Sequence, residues 1–433
     1  MPPGFVWGTG TSAYQVEGAW DQGGKGESIW DRFSHTPGKI KNGDTGDIAC
    51  DHYHRFGQDI VLAKQLNLNS YRFSIAWPRV QPDGRGEFNS IGLDFYDRVI
   101  DCLLAKGITP FITLYHWDLP QHLEERGGWT NRETGLLFAQ YTAKVVDRYS
   151  DRVKFWTTFN EPWCTSFLGY QAGVFAPGLK DEKKSAQVAH NLLLAHGLAS
   201  QAARRAARQP IQVGIVLNLS PTEPLRPDNE EDRTLAEEGW RRDCGSYLDP
   251  LIAGTYPQSV IDKIGDFEKE DLKIINQKLD FLGINFYMRN VVSKLAKVHP
   301  IVGAQYTAMD WEVHPQSLRL LLNRISKDYN KPVLYVTENG AAFEDKLDTS
   351  GNISDALREQ YIREHVQQCA LAIEDGVDLR GYFAWSLMDN FEWAEGYSKR
   401  FGLIYVDYAT QKRTIKQSGH WFARLAAANA IEM

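Results

Sequence analysis

The 433-residue sequence has little that would place the protein in a membrane or on nucleic acid. It contains no run of about 18 apolar residues, so no transmembrane helix is expected. The first residues, Met1 to Phe5, lack the basic stretch and the apolar run of a signal peptide. The net charge is −7, from 48 Lys and Arg against 55 Asp and Glu, whereas a nucleic-acid partner usually requires a basic face. These absences predict a cytoplasmic protein without a membrane or nucleic-acid partner.

Cysteine is also scarce, and no motif for a metal or a cofactor stands out. The five cysteines are odd in number and no Cys-x-x-Cys occurs, so reduced, mostly buried thiols are expected rather than a disulfide framework or a zinc ribbon. His52 and His54 form a His-x-His pair, but the pair precedes a predicted helix and has no obvious carboxylate partners. The glycines between Gly23 and Gly26 lack the P-loop spacing. No metal and no cofactor are therefore expected.

Aromatic residues, by contrast, are abundant. They make up 12% of the sequence, with 13 Trp, 19 Tyr and 20 Phe. A large aromatic core explains such a composition, although aromatic faces also stack on the apolar C–H faces of sugars. No repeat of about 20–50 residues and no long Pro, Gly or Ser linker divides the chain. We therefore expect one domain over residues 1–433.

Short apolar runs alternate with helical patterns along the chain. Strands are predicted at Phe5–Thr9, Ser70–Ile75, Ile108–Leu114, Lys154–Thr158, Gln212–Leu217, Phe281–Asn285, Val333–Thr337 and Leu379–Trp385. Helices are predicted at Phe56–Asn67, Ile91–Lys106, Thr134–Tyr149, Ala186–Arg208, Pro315–Tyr329 and Asp355–Asp375. This alternation is typical of parallel strands with right-handed crossovers, and eight units favour closure into a barrel. The prediction is an α/β fold, a single (β/α)8 TIM barrel with elaborated βα loops at the C-terminal face. Segment 220–280 is long and polar, and insertion helices are expected there without defined bounds.

Polar and aromatic residues cluster where five of these strands end. The motifs, in chain order, are Tyr115-His116-Trp117-Asp118, Phe159-Asn160-Glu161-Pro162-Trp163, Asn285-Phe286-Tyr287, Thr337-Glu338-Asn339-Gly340, and Trp385-Ser386 continuing to Asp389-Asn390-Phe391-Glu392-Trp393. In a parallel barrel the carboxyl ends of the strands open onto one face, where active sites are built. The convergence of these motifs therefore predicts a site at the barrel mouth.

Glu161 and Glu338 are the candidate catalytic groups of this site. They end the fourth and seventh predicted strands, which lie on roughly opposite sides of the mouth. Two facing carboxylates suit glycoside cleavage, because one protonates the leaving oxygen while the other attacks the anomeric carbon or activates water. Arg72, inside the second strand, requires an anionic partner if it is buried. That partner is either Glu338, which it would hold ionised, or another acid in a structural ion pair.

The sequence resembles the glycoside hydrolase family 1 β-glycosidases, of which β-glucosidases are the common members. The resemblance covers essentially the whole chain. Its motifs are Phe5-Val6-Trp7-Gly8-Thr9-Gly10-Thr11-Ser12-Ala13-Tyr14-Gln15-Val16-Glu17-Gly18, Tyr71-Arg72-Phe73-Ser74, Tyr115 to Pro120, Thr158-Phe159-Asn160-Glu161-Pro162, Tyr335-Val336-Thr337-Glu338-Asn339-Gly340, and Trp385-Ser386 to Gly402-Leu403. No catalytic position departs from the family pattern.

The resemblance implies a retaining double displacement and a role for each matching residue. Glu338 would be the nucleophile and Glu161 the acid and then the base. The implied substrate-binding residues are Gln15, His116, Trp117, Asn160, Tyr287, Trp385, Glu392, Trp393 and Phe401, with Trp163 and Trp311 beside the departing group. The residues implied to lie behind these groups and hold them in position are Arg72, Asn285 and Asn218. The carboxyl separation expected for retention is about 5–5.5 Å.

The identity of Glu392 bounds the substrate. In relatives that cleave 6-phosphorylated sugars the matching residue is typically a small hydroxyl residue, and an anion at Glu392 would repel phosphate, although Lys399 keeps phosphate binding open. We expect exo-cleavage of terminal β-D-glucosyl residues, and of β-D-fucosyl and β-D-galactosyl residues, from cellobiose, oligosaccharides and aryl or alkyl glucosides. Three alternatives remain: a transglycosidase using the same site, a non-catalytic sugar-binding barrel, and a metal-dependent barrel hydrolase. The sequence leaves the oligomeric state undecided.

Overall fold

The computed structural model describes residues 1–264, 267–295 and 298–432. Its strands are β1 Val6–Gly10, β2 Ser70–Ser74, β3 Thr109–Tyr115, β4 Phe155–Asn160, β5 Gln212–Asn218, β6 Thr222–Pro224, β7 Phe281–Asn285, β8 Asn290–Val292, β9 Leu334–Asn339, β10 Leu379–Trp385, β11 Ile404–Asp407 and β12 Lys412–Ile415. Its helices are α1 Ala13–Val16, α2 Ile29–Ser34, α3 His52–Gln65, α4 Trp77–Val80, α5 Ser90–Ala105, α6 Gln121–Glu124, α7 Arg132–Tyr149, α8 Glu182–Ala206, α9 Glu230–Trp240, α10 Ser246–Leu248, α11 Gln258–Ile264, α12 Asp271–Ile275, α13 Gln316–Asp328, α14 Ala356–Glu374 and α15 Gln417–Ala428.

Eight parallel strands close into a barrel in the order β1-β10-β9-β7-β5-β4-β3-β2. Closure is made by β1, which pairs with β10 from Val6 opposite Gly381 and with β2 from Gly8 opposite Ser70. Each predicted strand is found with ends shifted by no more than two residues. The predicted (β/α)8 barrel is confirmed.

An aromatic cluster fills part of the barrel interior. The ring of Phe111 on β3 lies 5.2 Å from those of Phe281 and Phe383 and 5.7 Å from that of Tyr335, centroid to centroid. All four side chains are buried. The strands are therefore held around a packed core rather than a pore.

The predicted helices are present, and three of them start earlier than their apolar pattern, two of them because of side-chain caps. Asn131 accepts a hydrogen bond from the backbone N–H of Glu133 and starts α7, while Asp181 accepts one from Lys184 and starts α8. Such caps satisfy backbone donors that the first turn of a helix leaves unpaired. The third case, α3, begins after Asp51 without a side-chain cap, so its early start has a different origin.

Segment 220–280, where insertion helices were expected without defined bounds, holds helices α9 to α12 and two π-helical turns, Arg241–Gly245 and Asp249–Ala253. A hairpin of β11 and β12 precedes the last helix, α15. Within the residues that the structure describes, no helix is long and apolar enough to cross a membrane.

Candidate active site

The two candidate carboxylates lie at the carboxyl ends of their strands. Glu338 is the second-last residue of β9, and Glu161 directly follows β4. In the closed barrel two strands separate β9 from β4 on one side and four on the other. Both side chains are buried, at 3% and 5% exposure. The barrel thus brings the two carboxyls to one mouth, as predicted.

Glu338 is held by two donors, one of them a cation. Arg72 donates from Nη1 to Oε1 and Tyr287 donates its hydroxyl to Oε2, each over 2.6 Å. The sequence left the partner of Arg72 open, and the structure pairs it with Glu338. Burial raises the pKa of Glu338, while the Arg72 charge and the Tyr287 hydrogen bond oppose that rise. Burial also raises the pKa of Tyr287 well above its ordinary value, so Tyr287 remains a neutral donor.

Within the described residues, the donors to Glu161 are neutral. Asn285 donates from Nδ2 to Oε1 over 2.6 Å, and the thiol of Cys164 donates to Oε2 over 2.9 Å. Burial, and after it the negative charge of Glu338, raise the pKa of Glu161 to about 7. The two carboxyls therefore differ in proton affinity, because a guanidinium stabilises the anion of one but makes no hydrogen bond to the other.

A continuous chain of hydrogen bonds joins the two carboxyls. From Glu338 it runs through Arg72, whose Nη2 donates to Oδ1 of Asn160 over 2.6 Å. Asn285 donates to the same Oδ1 over 3.0 Å and to Glu161. The Thr337 hydroxyl donates to Oδ1 of Asn285 over 2.7 Å, which fixes the orientation of that amide. The carboxyl separation expected from the sequence stays a prediction, whereas this network ties both groups to one rigid frame.

The same frame sets the protonation of His116. With Oδ1 of Asn160 accepting two hydrogen bonds, its Nδ2 is left to donate to Nε2 of His116, over 3.1 Å. His116 therefore carries its proton on Nδ1, an atom without a partner within the described part of the chain. Burial, and then the Arg72 charge, lower the pKa of His116 well below its ordinary value. The ring is neutral and has a donor to offer.

A third carboxyl, Glu392, lies at the same mouth. Gln15 donates from Nε2 toward its Oε2 over 3.4 Å, and to the carbonyl of Phe391 over 2.9 Å. Glu392 keeps some surface open to the cavity, yet the surrounding protein excludes most water. This desolvation, followed by the charges of Glu338 and Glu161, raises the pKa of Glu392 to about 8.

Aromatic rings wall the site. His116 stacks between Trp385 and Trp393, with ring centroids 5.9 Å away in both cases and interplanar angles of 19° and 16°. On the other side Trp311 lies 5.1 Å from Tyr287 and 6.1 Å from Phe401, centroid to centroid. These rings leave flat apolar surfaces beside the buried carboxyls.

The carboxyls and rings enclose a cavity of about 420 Å³, a volume typical of small-molecule sites. The predicted residues that line it are His116, Trp117, Glu161, Trp163, Asn218, Asn285, Tyr287, Trp311, Glu338, Trp385, Glu392, Trp393 and Phe401. Arg72, Gln15 and Asn160 lie behind the wall and touch its residues. Asn218 and Asn285 were expected behind the wall, but both line the cavity. Lining residues that the sequence reasoning missed are Cys164, Leu168, Phe175, Ser220, Asp243, Met288, Asn290 and Met309.

Backbone strain accompanies three of the lining residues. Trp117, Glu161 and Trp393 have φ of 80°, 50° and 48°, in the left-handed region that side chains other than Gly, Asn and Asp rarely adopt. Such strain gathers at functional sites, where the surrounding packing fixes side-chain direction. No sequence signal marks these three positions as strained.

The His-x-His pair does not converge on a common ligand. His52 contacts Asp59 over 2.8 Å and His54 contacts Asp51 over 2.6 Å. Across residues 1–264, 267–295 and 298–432, no group of three or more His, Cys, Asp or Glu side chains is arranged to hold a metal ion.

Comparisons with known proteins agree with this geometry. The sequence model described as Glycosyl hydrolase family 1 matches residues 1–431. Beta-glucosidase A of Thermotoga maritima is 45% identical over 445 aligned positions, covering 100% of this chain and 99% of that protein. Beta-glucosidase 42 of Arabidopsis thaliana is 42% identical, covering 98% of this chain and 93% of its own length.

Solved structures of relatives superimpose closely on the structure of this chain. The beta-glucosidase from Thermotoga maritima in complex with glucoimidazole superimposes with a TM-score of 0.95 at 44% identity and covers 99% of both chains. The same enzyme in complex with deoxynojirimycin gives a TM-score of 0.95 at 44% identity, covering 100% of this chain and 99% of its own. The protein is therefore a glycoside hydrolase, and its chain belongs to glycosyl hydrolase family 1.

Proposed function

We propose that the protein is an exo-acting, retaining β-glucosidase. The observation that carries the proposal is the unequal environment of the two buried carboxyls. Glu338 contacts the guanidinium of Arg72, whereas Glu161 accepts from the neutral donors Asn285 and Cys164 and has a pKa raised to about 7. A retaining glycosidase requires this division, with one carboxylate ionised to attack and one carboxyl protonated to assist departure.

In the first step Glu338 attacks the anomeric carbon of the sugar. The bond from that carbon to the leaving oxygen breaks, and the proton of Glu161 passes to this oxygen, which leaves as an alcohol. A covalent glycosyl ester with Glu338 remains. Because ester formation removes the negative charge of Glu338, one of the two causes that raise the pKa of Glu161 disappears, and Glu161 can ionise.

In the second step Glu161 acts as a base. It takes a proton from water, the water oxygen attacks the anomeric carbon, and the ester bond to Glu338 breaks. Two inversions at one carbon retain its configuration. The enzyme returns to its starting state with Glu161 protonated and Glu338 ionised.

The inner end of the cavity supports glucoside substrates. Glu392 and the neutral His116 together present an acceptor and a donor to sugar hydroxyls, and Trp385 and Trp393 offer apolar faces. Trp393 is only 3% exposed and packs against Trp30 at a centroid distance of 4.5 Å. Packing behind the sugar supports exo-cleavage, since the chain of a substrate can leave only through the mouth. Several relatives carry the name beta-glucosidase.

The outer end of the cavity supports substrates with a broad range of leaving groups. Trp163 stacks on Phe167 at 4.7 Å and 15° between the ring planes, and Met309 and Trp311 line the facing wall. Such apolar walls contact an aryl group or a second sugar through area rather than through fixed hydrogen bonds. Cellobiose, oligosaccharides and aryl or alkyl glucosides are the proposed substrates, and a sugar bound here in place of water would give transfer.

Turnover of an aryl β-D-glucoside beside its 6-phosphate, in buffer with EDTA, tests the proposal. The wild type is expected to release the aryl alcohol from the plain glucoside. Glu338→Gln is expected to lose this activity, whereas Glu395→Gln, a change at a partly exposed acid paired with Lys41, retains it. Loss of activity in EDTA would favour a metal-dependent hydrolase, and a folded but inactive wild type that binds glucose would favour a sugar-binding barrel.

A further inference from the structure

The side chain of Cys164 lies against the carboxyl of Glu161. Its Sγ donates to Oε2 over 2.9 Å, and the residue lines the cavity. A turn fixes this contact: Glu161 has φ of 50°, and the backbone N–H of Cys164 donates to the carbonyl of Glu161 over 3.0 Å. Cys164 then opens the π-helix Cys164–Gln171. The position of the thiol is therefore set by the backbone and not by a free rotamer alone.

We propose that Cys164 is a positioning residue for Glu161, whose thiol orients the carboxyl and stabilises the carboxylate that the second step needs as its base. The inference rests on the proposed role of Glu161 as acid and base. Burial, followed by the negative charge of Glu161, raises the pKa of Cys164 well above its ordinary value. Cys164 therefore keeps its proton and remains a donor throughout the reaction.

A thiol suits a carboxyl that must alternate between two protonation states. Both oxygens of Glu161 accept hydrogen bonds, from Asn285 and from Cys164, and this arrangement favours the anion. The first step, however, needs the neutral acid. Sulfur is a weak donor and a weak acceptor, so little is lost when Glu161 takes up its proton. A hydroxyl at this position would hold the carboxylate more strongly and make a poorer acid.

Other groups also act on the protonation of Glu161, and the test leaves them unchanged. The titratable and charged groups that face this site within the described residues are Glu338 on β9, Arg72 on β2, Tyr287 after β7, Glu392 after β10, His116 after β3, and Asp243 and Tyr247 near α10. Substitution of Cys164 removes none of them. A change in the pH dependence of a Cys164 variant therefore reports on the thiol.

The experiment compares pH profiles of kcat/KM for Cys164→Ala, Cys164→Ser and the wild type. With phenyl β-D-glucoside, whose departure needs a proton, the wild type should lose activity above about pH 7, where Glu161 ionises. In Cys164→Ala this alkaline limb should move up by about half to one pH unit, because a donor to the carboxylate is lost. Cys164→Ser, which keeps a donor, should place the limb at or below its wild-type position.

Two controls separate this effect from general disturbance. Cys102 on α5 is half-buried and lies outside the cavity lining, so Cys102→Ala should keep the wild-type limb. With 2,4-dinitrophenyl β-D-glucoside, departure needs little protonation, so the alkaline limb should be weak in every variant. A shift that is confined to Cys164→Ala and to phenyl β-D-glucoside is therefore the result expected if the thiol acts through Glu161.

The outcomes distinguish this inference from the proposed function. The role of the thiol is overturned if the alkaline limb of Cys164→Ala coincides with that of the wild type. It is also overturned if the limb of Cys164→Ser moves to higher pH together with that of Cys164→Ala. A shift of equal size in Cys102→Ala overturns it as well. If Glu161→Gln instead keeps the wild-type alkaline limb, that limb does not belong to Glu161, and the proposed assignment of the acid is refuted.

Discussion

Replacing Arg72 by Met tests the charge arrangement on which the proposed chemistry depends. Arg72 is fully buried and donates to Glu338 and to Asn160, each over 2.6 Å. In Arg72→Met the carboxyl of Glu338 keeps the Tyr287 hydroxyl as donor but loses the cation. Since burial already raises the pKa of Glu338, removing the opposing charge raises it further. The nucleophile should then be protonated over a wider acidic range.

The size of the effect follows from the contact that is lost. A hydrogen bond to a charged group contributes about 1.5–3 kcal/mol, and solvent does not screen this one because Arg72 is 0% exposed. Because about 1.4 kcal/mol corresponds to a tenfold change in rate, the loss of this hydrogen bond should lower kcat/KM near pH 6 roughly 10- to 100-fold. Breaking a buried ion pair also costs about 3–5 kcal/mol, so the free energy of unfolding should fall as well.

The assay is the pH profile of kcat/KM for an aryl β-D-glucoside, whose acidic limb should move to higher pH in Arg72→Met. Arg79→Met is the matched control, because Arg79 is 1% exposed and pairs with Glu17 over 2.8 Å, outside the described cavity. It should lose comparable stability and keep the acidic limb. An unchanged limb in Arg72→Met, or an equal shift in both variants, would refute the claim that Arg72 keeps Glu338 ionised.

Three further substitutions test the assigned roles. Glu338→Gly should lose hydrolysis and regain turnover with azide, giving the α-glucosyl azide by product analysis, and recovery of only the β-azide would contradict the nucleophile. Glu161→Ala should lose about 10²–10⁴-fold in kcat/KM on cellobiose but far less on 2,4-dinitrophenyl β-D-glucoside, which departs without a proton; equal losses would remove the acid. Above about pH 8, where Glu392 is ionised, Glu392→Ser should raise kcat/KM for the aryl glucoside 6-phosphate relative to the plain glucoside by about tenfold, as removal of one like charge from a buried site predicts, and an unchanged ratio at that pH would show that Glu392 does not select against phosphate.

Periodicity and strand ends made the barrel and the location of the site predictable. Strands such as β9, which is buried along its whole length, begin with a continuous apolar run, here Leu334 to Val336. Parallel strands then force their carboxyl ends to one face, so Glu161 and Glu338 had to meet at the mouth whatever their rotamers. The pairing of Arg72 with Glu338 could be stated only as one of two options, because burial demands a partner but does not select it.

Contacts that depend on local backbone conformation were not predictable. Cys164 reaches Glu161 because the glutamate adopts φ of 50°, a conformation that a glutamate rarely takes. Likewise the sequence identified Asn160 and Gln15 but could not tell that both amides would be engaged by neighbours behind the cavity wall. Spacing determines the strand end on which a residue lies, whereas side-chain packing determines which of its atoms face the ligand.

The protonation of the carboxyls at the barrel mouth determines how strongly the site discriminates against a 6-phosphorylated sugar. The carboxyls of Glu161, Glu338 and Glu392 share one cavity, and the cation that hydrogen-bonds one of them is Arg72. Burial then separates the carboxyls by proton affinity, with pKa values of about 7 for Glu161 and about 8 for Glu392. Near neutral pH Glu392 is mostly uncharged, so it can donate to a sugar hydroxyl as well as accept. Repulsion of a 6-phosphate by Glu392 should therefore be weak below about pH 8 and grow above it, while the ionised Glu338 disfavours the phosphate at every pH where the enzyme works.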